Sequence, residues 1–355
     1  MNRKPNLTKK SNNNSKKISN KTKNKSFSIN KNRLKHFKSI NTMMHELRKI
    51  YFFPKKKKML IKNIDEGLNG AYKIYDDQYK LIKNKTFKTI CNNINIIDND
   101  NFTCLLDEKK LVNINIQTGE LTILYQFKKT IKKIVYYKKN IILTCDYNIN
   151  NGIKVRQLLK DGQYQIMTIL YPSPRQKYNR DANMYLIKNK NILITINIKE
   201  SITFWTLNPF KYNHELYIEN IEDENLFIDN KQLCSLKDDF FLFILGDYEE
   251  LRPKTAIKYN FKEKKIAIKK DFDFYINCVE YINKKNIILI GGGGKPGSEI
   301  SNNIYVLNSD LNQLQRIEIN NLYNINGFGF YDKNEKKEYL ISLSEDGFLY
   351  IYSFY

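Results

Sequence analysis

Leu340-Ile-Ser-Leu-Ser-Glu-Asp-Gly-Phe-Leu-Tyr-Ile-Tyr-Ser-Phe354 decides the reading of the fold. A short apolar run is followed by a tight polar turn, Ser344-Glu-Asp-Gly347, and then by a strand of alternating pattern. A strand covered on both faces reads as a continuous apolar run, whereas its half-exposed neighbour alternates. Asp-Gly joins the two because the pair accepts positive φ.

Working outward, the same unit recurs. Asn191-Ile-Leu-Ile-Thr-Ile-Asn197 precedes Glu200-Ser-Ile-Thr-Phe-Trp-Thr-Leu207, which holds the chain's single tryptophan, Trp205. Asn140-Ile-Ile-Leu-Thr-Cys-Asp146 leads to an Asn151-Gly152 turn and Ile153-Lys-Val-Arg156. The apolar strand of each unit starts near residues 59, 102, 140, 191, 240, 286 and 338, a mean step of about 46 residues. Repeats of that length, each built of short strands, predict an all-β, WD-like β-propeller of four-stranded blades. Seven blades are expected, with six as the alternative. The last unit stops after its third strand, so the ring should close with a strand from the N-terminal region, either Ser26–Asn30 or His45–Phe53. If His45–Phe53 is the donor, the first unit is a strand short and the count falls to six.

Charge divides the chain. Residues 1–58 carry 19 Lys/Arg and one acid, Glu46, so about +18 of the formal +23. The other 41 basic and 36 acidic residues leave the remainder near balance. Residues 1–44 are read as a disordered basic arm, since Asn, Lys and Ser bury too little surface to offset ordering entropy; residues 45–355 are read as the propeller. An AT-rich coding sequence would inflate Lys and Asn alike, but does not account for the absence of acids before Glu46. Pro54-Lys55-Lys56-Lys57-Lys58 resembles a nuclear-localisation cluster. A basic block of this kind neutralises phosphates with little sequence preference, so RNA is an expected partner of residues 1–58. The acid-free start is also compatible with a mitochondrial transit segment, although Lys dominates over Arg.

The five cysteines, Cys91, Cys104, Cys145, Cys234 and Cys278, show no C-x-x-C spacing and are read as small buried hydrophobes in a reducing compartment. His36, His45 and His214 lie near no cysteine pair, so no zinc site is expected. The longest apolar stretch, about Phe240–Leu245, is far short of the ~20 residues that cross a bilayer, so no membrane insertion is expected. Paired acids such as Asp238-Asp239 and Glu249-Glu250 fall at turns. No motif for nucleophilic, metal or cofactor chemistry emerges, which argues against an enzyme. The 25 tyrosines and 20 phenylalanines are assigned to the inter-blade core.

Ser201-Ile-Thr-Phe-Trp-Thr-Leu207 resembles the third strand of the WD-repeat family, and Ser344-Glu-Asp-Gly-Phe-Leu-Tyr-Ile-Tyr352 resembles its Asp-turn-strand element. The family's Gly-His and Trp-Asp signatures are missing, so the resemblance is to a degenerate member. One local match is different in kind. Gly291, Gly292, Gly293 and Gly294, then Ile300 and Asn302, resemble the glycine-rich loop of the endoplasmic-reticulum exchange factor for Sar-type GTPases. That resemblance implies an alternative function in nucleotide exchange on a small GTPase. The same run fails as a phosphate loop: Pro296 stands where Ser or Thr is needed and Leu289 where the first Gly is needed.

The expectation from fold and charge is a non-enzymatic scaffold that binds other proteins of a multi-subunit assembly. A nuclear ribonucleoprotein assembly such as ribosome biogenesis would suit the basic arm, placing the protein in the nucleus or nucleolus, with the cytoplasm as the alternative.

Overall fold

A computed structural model describes residues 33–354, apart from the connections 45–46, 54–57, 64–70, 87–90, 147–151, 172–182, 198–200, 218–225, 248–251, 294–301, 320–322 and 333–337. Twenty-eight strands among the described residues form seven four-stranded antiparallel sheets. Six of the sheets are simple meanders, with the first strand in sequence innermost. The chain is a seven-bladed β-propeller, and the six-blade alternative falls.

The second strand of each blade is the apolar one, as its sequence requires. Asn101–Leu106, Ile141–Cys145, Ile287–Gly293 and Glu338–Ser344 are buried along nearly their whole length. Two of the turns that follow use the conformation glycine favours: Gly152 and Gly347 take positive φ, near +73° and +86°.

Seven apolar clusters hold the ring together, and each lies between two neighbouring blades. Phe204, Phe241, Phe243 and Tyr259 meet between blades 4 and 5. Tyr72, Phe102 and Cys104 meet between blades 1 and 2. Leu47, Met59, Ile341 and Leu349 seal blade 7 against blade 1. The aromatic residues are therefore inter-blade core, as expected from composition. Trp205, 1% exposed, donates its Nε1–H to Thr195 Oγ1 at 3.1 Å, which satisfies its one polar atom inside the blade 3–4 cluster.

The closing strand is neither of the two expected. Leu34–Asn41 pairs antiparallel with Phe348–Phe354 and supplies the outer strand of blade 7. Gln315, on the outer strand of blade 6, grips its start: Leu34 N–H donates to Oε1 at 2.9 Å and Gln315 Nε2 donates to Leu34 O at 3.0 Å. At its other end, Thr42 Oγ1 donates to Gly347 O at 2.7 Å. Leu47–Phe52, from the alternative donor segment, is the inner strand of blade 1. Ser26–Asn30 lies outside the described residues. The described ring thus begins upstream of residue 45, inside the segment read as arm.

A second correction concerns the cysteines. Cys91 and Cys104, facing each other across the inner and second strands of blade 2, form a disulfide. Cys145, Cys234 and Cys278 are free and buried, in line with the hydrophobe reading.

Candidate functional site

Because neighbouring strands in every blade are antiparallel, the two faces of the ring are set by strand direction. Inner strands begin at one face, here called upper, and end at the other, called lower. Outer strands run back, so Leu34 starts at the lower face and Asn41 ends at the upper one. The basic segment preceding Leu34 is therefore tethered to the lower rim.

The inner-to-second-strand turns also open on the lower face, around the mouth of the central channel. Those turns carry Lys138 and Lys139 in blade 3, Lys188 and Lys190 in blade 4, Lys237 in blade 5 and Lys284 and Lys285 in blade 6. Lys285 pairs with Glu338 at 2.6 Å and Lys190 with Asp239 at 3.8 Å. Asp238 and Asp239 sit on a turn with positive φ at both residues, as their sequence suggested. In blade 1 the equivalent connection holds Lys55, Lys56 and Lys57, which lie outside the described residues. The flanking Phe53 and Lys58 close this hairpin by Phe53 N–H to Lys58 O at 3.1 Å. Lys58 itself reaches across to blade 2 and pairs with Asp100 at 2.9 Å, so it ties blades together at the lower face.

The glycine run lies at the opposite end of blade 6. Gly291, Gly292 and Gly293 finish its second strand at the upper face and are fully buried. A Cβ on Gly291 would lie 2.7 Å from Cys278 Sγ and 2.9 Å from Ile325 Cγ2. On Gly292 it would collide with the carbonyl oxygen of Tyr275, and on Gly293 with Asn302 Oδ1. Close packing accounts for these three glycines. Asn302 is 4% exposed. Gly294 and Ile300 lie outside the described residues.

The channel is a concavity of about 1530 Å³, and all seven inner strands line it. Its walls hold seven lysines (Lys49, Lys62, Lys132, Lys133, Lys188, Lys190 and Lys237) against three carboxylates, Asp238, Glu280 and Glu345. Lys49 and Lys62 are direct cross-strand partners in blade 1. Lys62 Nζ donates to Asn92 Oδ1 of blade 2 at 2.8 Å. Lys133 is the first residue of the inner strand of blade 3. Burial lowers the pKa of all three; repulsion by Lys49 and Lys133 adds to this at Lys62, which falls to about 8. Lys62 and Lys133 are half-buried in the lumen wall, and Lys49 is exposed to the lumen. Glu280, across the lumen on blade 6, is pushed up to about 7 by burial, with Lys49 opposing the shift.

His214 is not part of this surface. It is 8% exposed, stacked on Phe204, and its ring is fully engaged: Tyr259 donates its O–H to Nε2 at 2.9 Å, and Nδ1–H donates to Asn213 Oδ1 at 2.7 Å. Burial lowers its pKa to about 4. It is a neutral core residue. Among the described residues no group of three His, Cys, Asp or Glu is placed to hold a metal ion, and no helix is long and apolar enough to cross a membrane.

Sequence reasoning singled out Lys55–Lys58, of which only Lys58 is among the described residues and lies on the lower face, and missed the channel. The missed signal is weak: Lys49 and Tyr51 alternate with Ile50 and Phe52, which puts polar residues on the lumen side of an inner strand. No family model matches the chain, and comparison with curated proteins returns no match. The fold and the charge distribution therefore carry the functional argument.

Proposed function

We propose that this propeller is a WD-like interaction scaffold whose lower face and basic N-terminal segment together engage nucleic acid or another acidic partner, in a ribonucleoprotein assembly of the nucleus. The observation that carries this reading is the tether. The segment before Leu34, with 11 Lys/Arg and no acid, is anchored at Leu34, on the face whose inner turns present Lys138, Lys139, Lys188 and Lys237 to solvent. Charge alone would be solvated and neutral in meaning; basic charge gathered at one face of a rigid ring forms a surface that attracts polyanions. WD-like character draws support from Trp205 on the third strand of blade 4 and from the Ser344–Gly347 turn.

The test is binding of a fluorescent unstructured RNA across a salt series. Full-length protein is compared with a full-length variant whose lysines in residues 1–32 are glutamine. Binding should weaken steeply with salt, and neutralising the segment should flatten the slope by several units, since each phosphate contact contributes about 0.7 on single strands. Absence of binding near 0.1 M salt, or an unchanged slope, refutes the proposal.

A further inference from the structure

The upper half of the channel carries a charge arrangement that the scaffold role does not use. Lys49 and Lys62 of blade 1 and Lys133 of blade 3 line one region of the lumen, and Asn92 of the intervening blade 2 accepts a hydrogen bond from the Lys62 ammonium. Lys49 and Lys62 oppose each other across neighbouring strands, a position where like charges destabilise a sheet. Among the described residues no carboxylate lies within ion-pair distance of any of the three, and Glu280 is the one acid close enough to influence Lys49. Elsewhere lysines of this ring have acidic partners: Lys58 with Asp100, Lys154 with Asp146 and Lys258 with Asp310. The lumenal trio differs by facing an open cavity of about 1530 Å³ instead. Asn92, Asn93 and Asn95 lie alongside as amide donors, on a bulged stretch of the blade 2 inner strand in which Asn93 takes φ +53°. A bulge there aims side chains that a regular strand would alternate.

We propose that the upper channel binds a small polyanion carrying two or more phosphate groups, with Lys49, Lys62 and Lys133 as its charge partners and the blade 2 asparagines as neutral donors. Three ammonium groups call for more than one negative charge, which favours a polyphosphate over a lone phosphate or carboxylate. Confinement inside the ring favours a small molecule over a nucleic-acid strand or a folded partner. The ligand neutralises the repulsion of the empty site, so it should stabilise the fold as well as bind.

Tripolyphosphate, pyrophosphate and orthophosphate serve as probes, titrated calorimetrically into full-length protein with thermal melting in parallel. Four full-length proteins are compared: wild type, Lys49→Met, Lys133→Met and Lys133→Arg. The N-terminal segment is present in all four, so its own attraction for phosphate cancels. Tripolyphosphate should bind best and raise the melting temperature. Each Met variant should weaken it by at least about tenfold, as loss of a charge-assisted contact does. Lys133→Arg should retain binding. Without ligand the Met variants should melt at or above the wild-type temperature, because a repulsive charge has gone. Equal tripolyphosphate affinity in all four proteins would overturn the proposal and place the binding outside the lumen. So would absence of binding, or preference for a polyglutamate peptide over tripolyphosphate.

Discussion

Replacing Gly292 by alanine should destabilise the propeller by about 2 kcal/mol, a value set by two opposed effects. Alanine restricts the unfolded chain, which favours the folded state by roughly 0.4–1 kcal/mol where the native backbone accepts it. Gly292 sits in a regular strand without positive φ, so that gain applies. Against it stands the collision. The new methyl would meet the carbonyl oxygen of Tyr275 and lie 2.8 Å from Phe274 Cδ2. The carbonyl belongs to the paired inner strand and cannot rotate away. The ring is pinned as well, stacked on Tyr305 with centroids 3.7 Å apart. Overpacking a well-filled site costs roughly 1–3 kcal/mol, and immovable neighbours put this one at the top of that range. A domain of this size loses about 2 °C of melting temperature per kcal/mol, so the variant should melt about 4 °C lower.

Gly291→Ala supplies the internal control. Its obstacles are side-chain atoms, Cys278 Sγ and Ile325 Cγ2, which can shift by tenths of an ångström. Its loss should be about half as large. Melting of both full-length variants by circular dichroism, with urea titration as a second measure, tests the ranking. A Gly292→Ala protein as stable as wild type would refute the steric argument. The glycine run would then need a reason outside packing, and the exchange-factor resemblance would regain its strongest residues.

Removing residues 1–32 should leave the melting temperature within about 2 °C of the full-length value, whereas removing residues 1–41 deletes the strand paired with Phe348–Phe354 and should cost at least about 10 °C or yield insoluble protein through the opened edge; equal melting of the two truncations would show that Leu34–Asn41 does not close the ring. The pKa of His214 falls from 6.5 to about 4, so the native state resists its protonation. The stability this represents, at most about 3 kcal/mol, is complete above pH 6.5 and is lost as pH drops toward 4. His214→Gln should be less stable at pH 7 but show a shallower decline over that window, measured as the difference between the two proteins' urea midpoints; parallel declines would exclude His214 from the acid sensitivity.

The strands most legible in the sequence are those the ring buries deepest. The expected starts of the apolar strands, near 59, 102, 140, 191, 240, 286 and 338, meet observed starts at Lys58, Asn101, Ile141, Ile192, Phe240, Ile287 and Glu338. A strand enclosed by sheets on both faces has no freedom to carry polar residues, so its signal is strong. Outer strands lie under the opposite constraint. Leu121–Gln126 is exposed at five of six positions, and Leu34–Asn41, with Lys35, His36 and Lys38 in solvent, is written in the composition of a tail. What holds Leu34–Asn41 is its backbone pairing and the grip of Gln315, neither of which leaves an apolar pattern to read. The lumenal lysines were hidden for another reason. Lys49, Lys62 and Lys133 are three of 60 basic residues, and only the closure of the ring brings residues some 84 positions apart in the chain to one cavity.

The two basic systems of this molecule, at opposite ends of one channel, should act nearly independently. Three residue steps separate Lys49 from the lower end of the inner strand Leu47–Phe52, about 10 Å, and five steps, about 17 Å, separate Lys133 from the lower end of its own strand. At 0.15 M salt the screening length is about 8 Å, so a polyanion on the lower face is separated from the Lys49–Lys62–Lys133 region by roughly one to two such lengths. The lumen walls weaken that screening, and Lys188, Lys190 and Lys237 at the lower mouth partly offset the negative charge of whatever binds there. The residual repulsion should therefore shift tripolyphosphate affinity by less than about twofold when RNA saturates the protein, and by reciprocity RNA affinity by the same factor when tripolyphosphate is present. Competition titrations at 0.15 M and 0.05 M salt measure both sides of this cycle. Mild antagonism that grows at the lower salt is the expected electrostatic signature. Full competition at both salts would mean that the RNA strand enters the channel and contacts the upper lysines directly, which would merge the two sites into one and remove the case for a separate small ligand.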